Sequence, residues 1–408
     1  MTADGWERLM SRTVCVVTPV PLDRDSRTLK QVETLRRCGA DVVTIAAGAA
    51  VSEDAMPGQD TQNHRARPGL ISRVWSWART TKAPTLVVAP FFLVWLCIFA
   101  FQSLRTSWRL PKASLFVLHG VTTYPAFALS ARKAPFIYDI HDFYCGVEPD
   151  SEIGTLEKVF LRPFLRAIER RCIAHAVETV TVSEGLATLI ENRYDVRPIV
   201  LRNVHDARLD GEPDEDIRHR LGLGEDAFLI VAIGNYKPGQ RFEAFLEALS
   251  RSTNDVHLAL IGRGYEALQS SVSAAGLSER VHILGALPPR LIVPSVRSAD
   301  MAALPYYDRS ENYRFSLPNG FFQSVGAGLP LIYPNLPEMK ALAGHFDMGI
   351  MVDWSSAEEI TAAIGAFRDD PEFAARLRRN AAQASQDLSW AHEELRWLEI
   401  LSAAMPGK

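Results

Sequence analysis

Short β-branched runs alternate along this chain with stretches whose apolar residues recur every three or four positions, the pattern of strands alternating with helices. The first run, Thr13–Thr18 (TVCVVT), gives way to polar PLDRDSR. Leu29, Val32, Leu35 and Cys38 then follow at spacings of three, which predicts a helix closed by Gly39. DVVTIA (41–46) predicts the next strand. A strand, a crossover helix and a second strand imply a parallel sheet covered by helices. Further strands are expected at Leu115–Leu118 and Pro135–Ile140, separated by a helical YPAFALSARK. Two more are expected at Glu178–Val182, before a helix from Glu184, and at Ile199–Arg202.

The texture changes at 205–216 (HDARLDGEPDED), which is polar, acidic and poor in large apolar residues, as expected of a boundary between domains. A second alternating series follows. Ala227–Ile233 runs into GNYKPG and a helix through Leu249, Val256–Ile261 runs into GRG, and Val281–Leu284 precedes Gly285. Ala299–Leu304, Pro330–Tyr333 and Gly349–Val352 complete the expected strands. The fold class read from this pattern is α/β: two doubly wound, Rossmann-like parallel-sheet domains facing across a cleft, residues 1–204 and 205–388.

Composition agrees. A chain of 408 residues, 47% hydrophobic and 23% charged, is too long for one ordinary core and excludes disorder or coiled coil as its main state. Lysine plus arginine (44) against aspartate plus glutamate (48) gives a net charge of −4, no whole-chain field for gripping nucleic acid. The five cysteines are odd in number and never two or three apart, so neither a disulfide framework nor a zinc site is suggested, and a reducing compartment fits. Met1–Met10 carries acids and a tryptophan where a signal peptide needs a basic start and an apolar run, so a cytoplasmic location is expected.

The distribution of charge says more than its sum. Between Asp60 and Asp139 there is no acidic residue, while Arg65, Arg73, Arg79, Lys82, Arg105, Arg109 and Lys112 fall inside. Within that stretch Ala83–Leu104 (APTLVVAPFFLVWLCIFAFQSL) is uncharged, with Trp75, Trp77 and Trp108 close by. A single membrane crossing would put the strands before and after it on opposite sides of a bilayer, and is disfavoured. Pro84 and Pro90 are expected to break the run and leave Phe91–Leu104 as the helix. Two readings of it stand: a core helix of the first domain, or a peripheral contact with an anionic membrane at the inner face of the cell, which the basic flank and tryptophans favour.

In an open parallel sheet, ligands bind beyond the carboxyl ends of the strands. Gly234-Asn235-Tyr236-Lys237-Pro238-Gly239-Gln240-Arg241 places two cations in a glycine-bearing loop before a helix, where backbone amides and cations would hold a diphosphate; a solvated turn is the bland alternative. Gly262-Arg263-Gly264 is a second such loop. The segment from Ser316 to Pro330 (SLPNGFFQSVGAGLP) reads as a helix with a proline–asparagine start and a glycine–proline end, or simply as a connector. His119, and His141 with Asp142, follow two strands of the first domain; a histidine there can orient a sugar hydroxyl or sit as a hydrogen-bonded loop residue.

Taken in order, DRDSRTLKQVETLRRCGADVVTI, the strand ending at His119, YDIHD, ERRCIAHAVETVTVSEGLATLI, LRNVHD, GNYKPGQ, LALIGRG, VHILGALP, SLPNGFFQSVGAGLPLI and DLSW carry a resemblance. From about Thr13 to Leu401 the chain resembles the retaining GT-B glycosyltransferases of the "glycosyl transferases group 1" family. The resemblance implies a nucleotide-diphosphate-sugar donor bound mostly by 205–388 and a glycan or lipid-linked acceptor bound mostly by 1–204. It implies neither a metal nor a cofactor besides that donor, and a last helix, within 389–408, packing back onto the first domain. Residue by residue, His119 matches the active-site histidine near the donor sugar. Lys237, Gly239, Gln240 and Arg241 match the diphosphate loop, with Arg263 nearby. Asn319, Gly320, Phe321, Phe322 and Gln323 match the segment on donor phosphate and ribose. Asp25, Arg27, His141 and Asp142 fall on the acceptor side.

The departures are specific. The family's two glutamates eight positions apart are here Phe315 and Gln323, the lysine of a Pro-Asn-Lys run is Gly320, and the usual basic position of the loop is Gln240. Fewer cations at a diphosphate weaken stabilisation of the leaving group. The leading expectation is therefore a retaining sugar transferase acting on a hydroxyl. The alternatives are a non-catalytic GT-B protein binding nucleotide, glycan or a partner transferase, and an epimerase or hydrolase on the same fold.

Overall fold

A computed structural model describes residues 11–22, 25–47, 70–130, 134–143, 153–237 and 240–405. The chain divides into two compact units. One comprises Met1–Arg202, Ser310–Asn312 and Glu394–Lys408, and the other Asn203–Arg309 and Tyr313–Glu393.

The first unit runs β1 (Thr13–Thr18), α1 (Ser26–Arg37), β2 (Asp41–Ala46), α2 (Leu70–Thr80), α3 (Thr85–Arg109), β3 (Leu115–His119), α4 (Tyr124–Leu129), β4 (Phe136–Ile140), α5 (Arg162–His175), β5 (Glu178–Thr181), α6 (Glu184–Tyr194) and β6 (Ile199–Val200). All six strands are parallel, in the order β2-β1-β3-β4-β5-β6. Asp25 caps α1 by accepting from the amides of Arg27 and Thr28, and Gly39, at φ +75°, follows its end. β3 continues one residue past the expected Leu118, so His119 is the last residue of a buried strand and not a loop residue.

The second unit runs α7 (Ile217–Arg220), β7 (Phe228–Ile233), α8 (Glu243–Arg251), β8 (Val256–Ile261), α9 (Gln269–Ala274), β9 (Val281–Ile283), α10 (Pro289–Val296), β10 (Met301–Ala303), α11 (Glu311–Arg314), α12 (Asn319–Gly326), β11 (Leu331–Pro334), α13 (Pro337–His345), β12 (Gly349–Val352), α14 (Ala357–Asp369), α15 (Pro371–Asp387) and the start of α16 (Trp390–Ala404), with α11 up to Asn312 and α16 from Glu394 counted in the first unit. Its six strands are again parallel, ordered β12-β11-β10-β7-β8-β9. Phe242, Phe245, Tyr265 and Trp354 fill one side of this sheet with rings 5.2–6.2 Å apart. The division expected at 204/205 falls after Arg202, and the return to the first unit falls at Glu394 and not at 389. The backbone explains the latter: Trp390 N–H still donates to the His205 carbonyl at 2.9 Å, whereas Glu394 accepts from Thr34 at 2.7 Å and from Arg37.

The apolar run departs from its expected break at Pro90. α3 is one helix of 25 residues that continues through Pro90, and it is not a core helix limited to Phe91–Leu104. Proline at the sixth position removes only the hydrogen bond to the Leu86 carbonyl in an exposed first turn, too little to end a helix anchored further along. That anchor is aromatic: Trp95 stacks on Phe99 at 5.0 Å, meets Phe164 of α5 edge-on at 5.7 Å, and Phe92 stacks on Phe160 at 5.0 Å. Val88, Ser103, Thr106 and Ser107 complete the buried face. The opposite face is apolar too, yet Leu86 (88% exposed), Leu93, Val94, Phe101 (66%) and Trp108 (77%) stand exposed among the described residues. By length and composition α3 could cross a membrane. However, β1 pairs with both β2, before α3, and β3, after it, which holds both ends of the helix to one sheet.

The two faces predict opposite mutational costs. Trp95→Ala should lower unfolding free energy by about 3–5 kcal/mol, and Phe101→Ala should stay within about 0.5 kcal/mol. Equal losses in urea denaturation would refute the assignment of faces.

Candidate functional site

At the carboxyl end of β3 and β4, side chains from three elements meet. His119 and Asp139 are register partners on adjacent strands, both fully buried. Arg27, in the first turn of α1 and 2% exposed, reaches across to Asp139: Nε donates to Oδ2 at 2.9 Å and Nη2 to Oδ1 at 3.0 Å, while Nη1 donates to the Leu201 carbonyl at 2.7 Å. Gln31, one turn on, donates to Asp139 Oδ2 at 2.7 Å. His141 Nε2 lies 2.9 Å from His119 Nδ1, and Thr28 Oγ1 lies 3.3 Å from the same nitrogen. Thr28 donates its own hydroxyl hydrogen to Asp25 at 2.5 Å. His119 Nε2 is buried with no hydrogen-bond partner among the described residues.

Charge follows from this geometry. Burial alone would raise the Asp139 carboxyl, but the Arg27 guanidinium outweighs it and, with His141 and His119, holds it well below its ordinary 3.8. Burial pushes His119 down to about 4, against the pull of Asp139. Burial also works against a charge on His141, yet Asp139 and then Asp25 raise it above 6.5. Asp25, His119 and His141 each have a potential metal-donor atom within 4.8 Å of the others. Those atoms are already engaged, Asp25 by the α1 cap and Thr28, the two imidazoles by one another, so the grouping is a hydrogen-bonded network.

Of the residues expected on the acceptor side, Asp25 and Arg27 are thus internal supports, and His141 is partly exposed at the rim. Exposed Asp142 accepts from Asn312 Nδ2 at 2.9 Å. Asp139, Gln31 and Thr28 were missed. A carboxylate inside the otherwise apolar strand FIYDI was the available signal, since a buried aspartate requires a partner.

In the second unit, three glycine segments far apart in sequence converge on the end of β7. A Cβ at Gly262 would lie 1.9 Å from the Gly234 carbonyl oxygen, and one at Gly320 would lie 2.2 Å from that of Ile233. Only glycine allows either approach, and at Gly262 φ is +153° as well. The same packing shows why no lysine stands at 320. Tyr236 N–H donates to the Arg263 carbonyl at 2.8 Å and Arg263 N–H to Asn235 Oδ1 at 3.0 Å, tying the first two loops together. Gln240 is buried and its Oε1 accepts from the Lys237 amide at 3.1 Å, so its side chain closes the loop. Lys237 and Arg241 are exposed, over Tyr313 at 5.8 Å and Tyr307 at 5.1 Å. Gly239 lies outside the described residues. Phe321 and Phe322 correct the expectation: both are core, 0% and 2% exposed, so their rings face no ligand. Asn319, at the exposed first turn of α12, accepts from Asn203 Nδ2 at 2.6 Å, and Gln323 is half-buried on the same helix.

Two parallel six-stranded sheets in series, each with its side chains of chemical interest gathered at the carboxyl ends of its strands, define a GT-B type chain. The model of "Glycosyl transferase 4-like domain" matches residues 25–205 and that of "Glycosyl transferases group 1" matches residues 227–370. Together they cover more than half of the chain, which belongs to the GT-B glycosyltransferase family these domains make up. Among curated relatives, D-inositol 3-phosphate glycosyltransferase of Thermomonospora curvata is 24% identical over 204 residues, 47% of this chain and 46% of that protein. The GDP-mannose-dependent alpha-(1-6)-phosphatidylinositol monomannoside mannosyltransferase of Mycolicibacterium smegmatis is 26% identical over 195 residues, 45% and 49%. The match thus spans about half the length of these relatives. Sucrose-phosphate synthase from Thermosynechococcus elongatus shares the fold with a TM-score of 0.69 at 14% identity, covering 96% of this chain and 98% of that one. Anabaena HepE, in complex with UDP-glucose, does so with a TM-score of 0.67 at 15% identity, covering 96% and 100%.

Asp139→Asn should leave the Arg27 guanidinium buried without a counter-charge and cost about 3–5 kcal/mol of stability at neutral pH. Because the folded carboxyl titrates below its unfolded value, its contribution is present above the ordinary carboxylate range and is lost as pH falls through the lowered value. The gap between variant and wild type in chemical denaturation should therefore persist into mildly acid solution and close only in strong acid. No gap at neutral pH would refute the pair's role.

Proposed function

We propose that this protein transfers a sugar, with retention, from a nucleotide-diphosphate sugar to a hydroxyl of a glycan or lipid-linked saccharide. The observation that carries the reading is the convergence in the second unit. The N-terminus of α12, two glycine loops, Lys237 and Arg241 come together at strand ends, where amide hydrogens and cations suit a diphosphate. His119 supplies the second element, a buried imidazole at the matching strand end of the first unit. HepE was solved with UDP-glucose, and two relatives are named for inositol-containing acceptors, which supports a nucleotide-sugar donor and a polyol acceptor.

A donor screen that follows release of free nucleoside diphosphate, with and without acceptor glycans, tests this. Lys237→Ala with Arg241→Ala should weaken binding of the nucleoside diphosphate by about 1.5–3 kcal/mol for each charge-assisted hydrogen bond lost. His119→Ala should lower turnover more than donor affinity. Phe315, Gln323 and Gly320 favour a second outcome, donor binding without turnover, which would make this a non-catalytic GT-B protein.

The exposed face of α3 supports a membrane location for the acceptor. Leu86, Leu93, Val94, Phe101 and Trp108 would enter one leaflet, with exposed Lys82, Arg105, Arg109 and Lys112 at the headgroups, each adding about 1 kcal/mol at an anionic surface. Arg79 is half-buried and paired with Glu157 at 3.0 Å, and is assigned no part in this. Flotation should require anionic vesicles, weaken with salt, and fall when the four cations become glutamine. Equal flotation with neutral vesicles, or none with either, would overturn the membrane role.

A further inference from the structure

The geometry points to His141 as a positioning residue: it donates from Nε2 to Nδ1 of His119, fixing the tautomer in which His119 presents Nε2–H, a lone buried donor, to a hydroxyl oxygen of the substrate. Only the use of that donor rests on the transferase reading.

Two imidazole nitrogens 2.9 Å apart need one hydrogen between them, and either ring could own it. Thr28 commits its hydroxyl hydrogen to Asp25, so a hydrogen bond into a bare His119 Nδ1 can come only from His141, while a hydrogen on Nδ1 would have the Thr28 oxygen as an acceptor. Charge balance and exposure decide between the two. The groups facing His141 are Asp25 at the α1 cap, Arg27, Thr28 and Gln31 on α1, His119 on β3 and Asp139 on β4. Two carboxylates against one guanidinium leave room for one more positive charge. Exposure places it, since the His119 side chain is 0% exposed and the His141 side chain 29%, so the imidazolium is less costly on His141. The opposite directions of the two histidines, His141 raised and His119 lowered, are consistent with this. A neutral His119 that accepts at Nδ1 carries its hydrogen on Nε2, the atom left without a partner. The other tautomer would present a lone pair there and could only accept.

The full chain labelled with 15N-histidine reports the tautomer directly in nitrogen–proton correlation spectra. His119 should carry its hydrogen on Nε2 and none on Nδ1; a hydrogen on Nδ1 in the wild type overturns the inference. In His141→Leu the hydrogen should move to Nδ1, and His141→Gln, whose amide can still donate, should keep it on Nε2. With an identified donor, His141→Leu should lower kcat by about tenfold or more, with donor KM changed by less than about twofold, and His141→Gln should recover part of the loss. Wild-type turnover should fall as pH rises through the raised His141 value, and His141→Gln should not show that fall. Unchanged kcat in His141→Leu also overturns the inference. If no donor is turned over by the wild type, the transferase reading fails, while the spectra still decide the tautomer.

Discussion

The ion pair between Arg27 and Asp139 sets the terms for the whole carboxyl end of the first sheet. A guanidinium 2% exposed at the amino end of a helix is costly: it has lost its water, and it sits at the positive pole of the helix dipole. Both carboxylate oxygens and the Leu201 carbonyl are drawn in to compensate, and the Gln31 amide donates to the same carboxylate. The result ties α1, β4 and the segment after β6 to one point. The pair itself is neutral, and Asp25 beside it adds the net negative charge that the two histidines meet.

The second unit solves a similar problem without buried charge. An anion held by backbone amides needs those amides brought close, and side chains are what keep backbones apart. Gly234, Gly262 and Gly320 remove that obstacle, letting two loops and the start of α12 pack against the end of β7. The cations lie on exposed arms over Tyr307 and Tyr313. The first unit therefore holds a buried imidazole, and the second a close-packed cradle of backbone with exposed cations beside it.

α3 belongs to neither scheme. Its aromatic anchor against α5 and the turn before it explains why the helix exists through Pro90, but not why its other face is apolar. A surface helix normally presents polar residues outward. The combination of an apolar outward face and a cationic flank is what an interfacial helix requires, and the pairing of β1 with strands on either side of it fixes that helix along the unit's surface.

The alternation of strands and helices was legible in the chain because both periods depend on local spacing: β1, β2, β8 and β12 fall where the pattern places them. His119 was legible as a candidate because strand ends are where open sheets hold ligands, and the glycine loops because glycine marks unusual backbone. What the sequence could not show is which distant residues meet. Arg27 and Asp139 are 112 positions apart, and nothing in either neighbourhood names the other. Arg27 therefore read as an acceptor-side residue, and Phe321 and Phe322 as part of the donor segment, when burial makes the first a support and the others core. Gly320 read as a missing lysine, whereas the carbonyl of Ile233 leaves no space there for any side chain. Local pattern determines which element forms, but exposure, partnership and the hydrogen bond between two imidazoles are properties of what surrounds a residue, and only the tertiary structure supplies the surroundings.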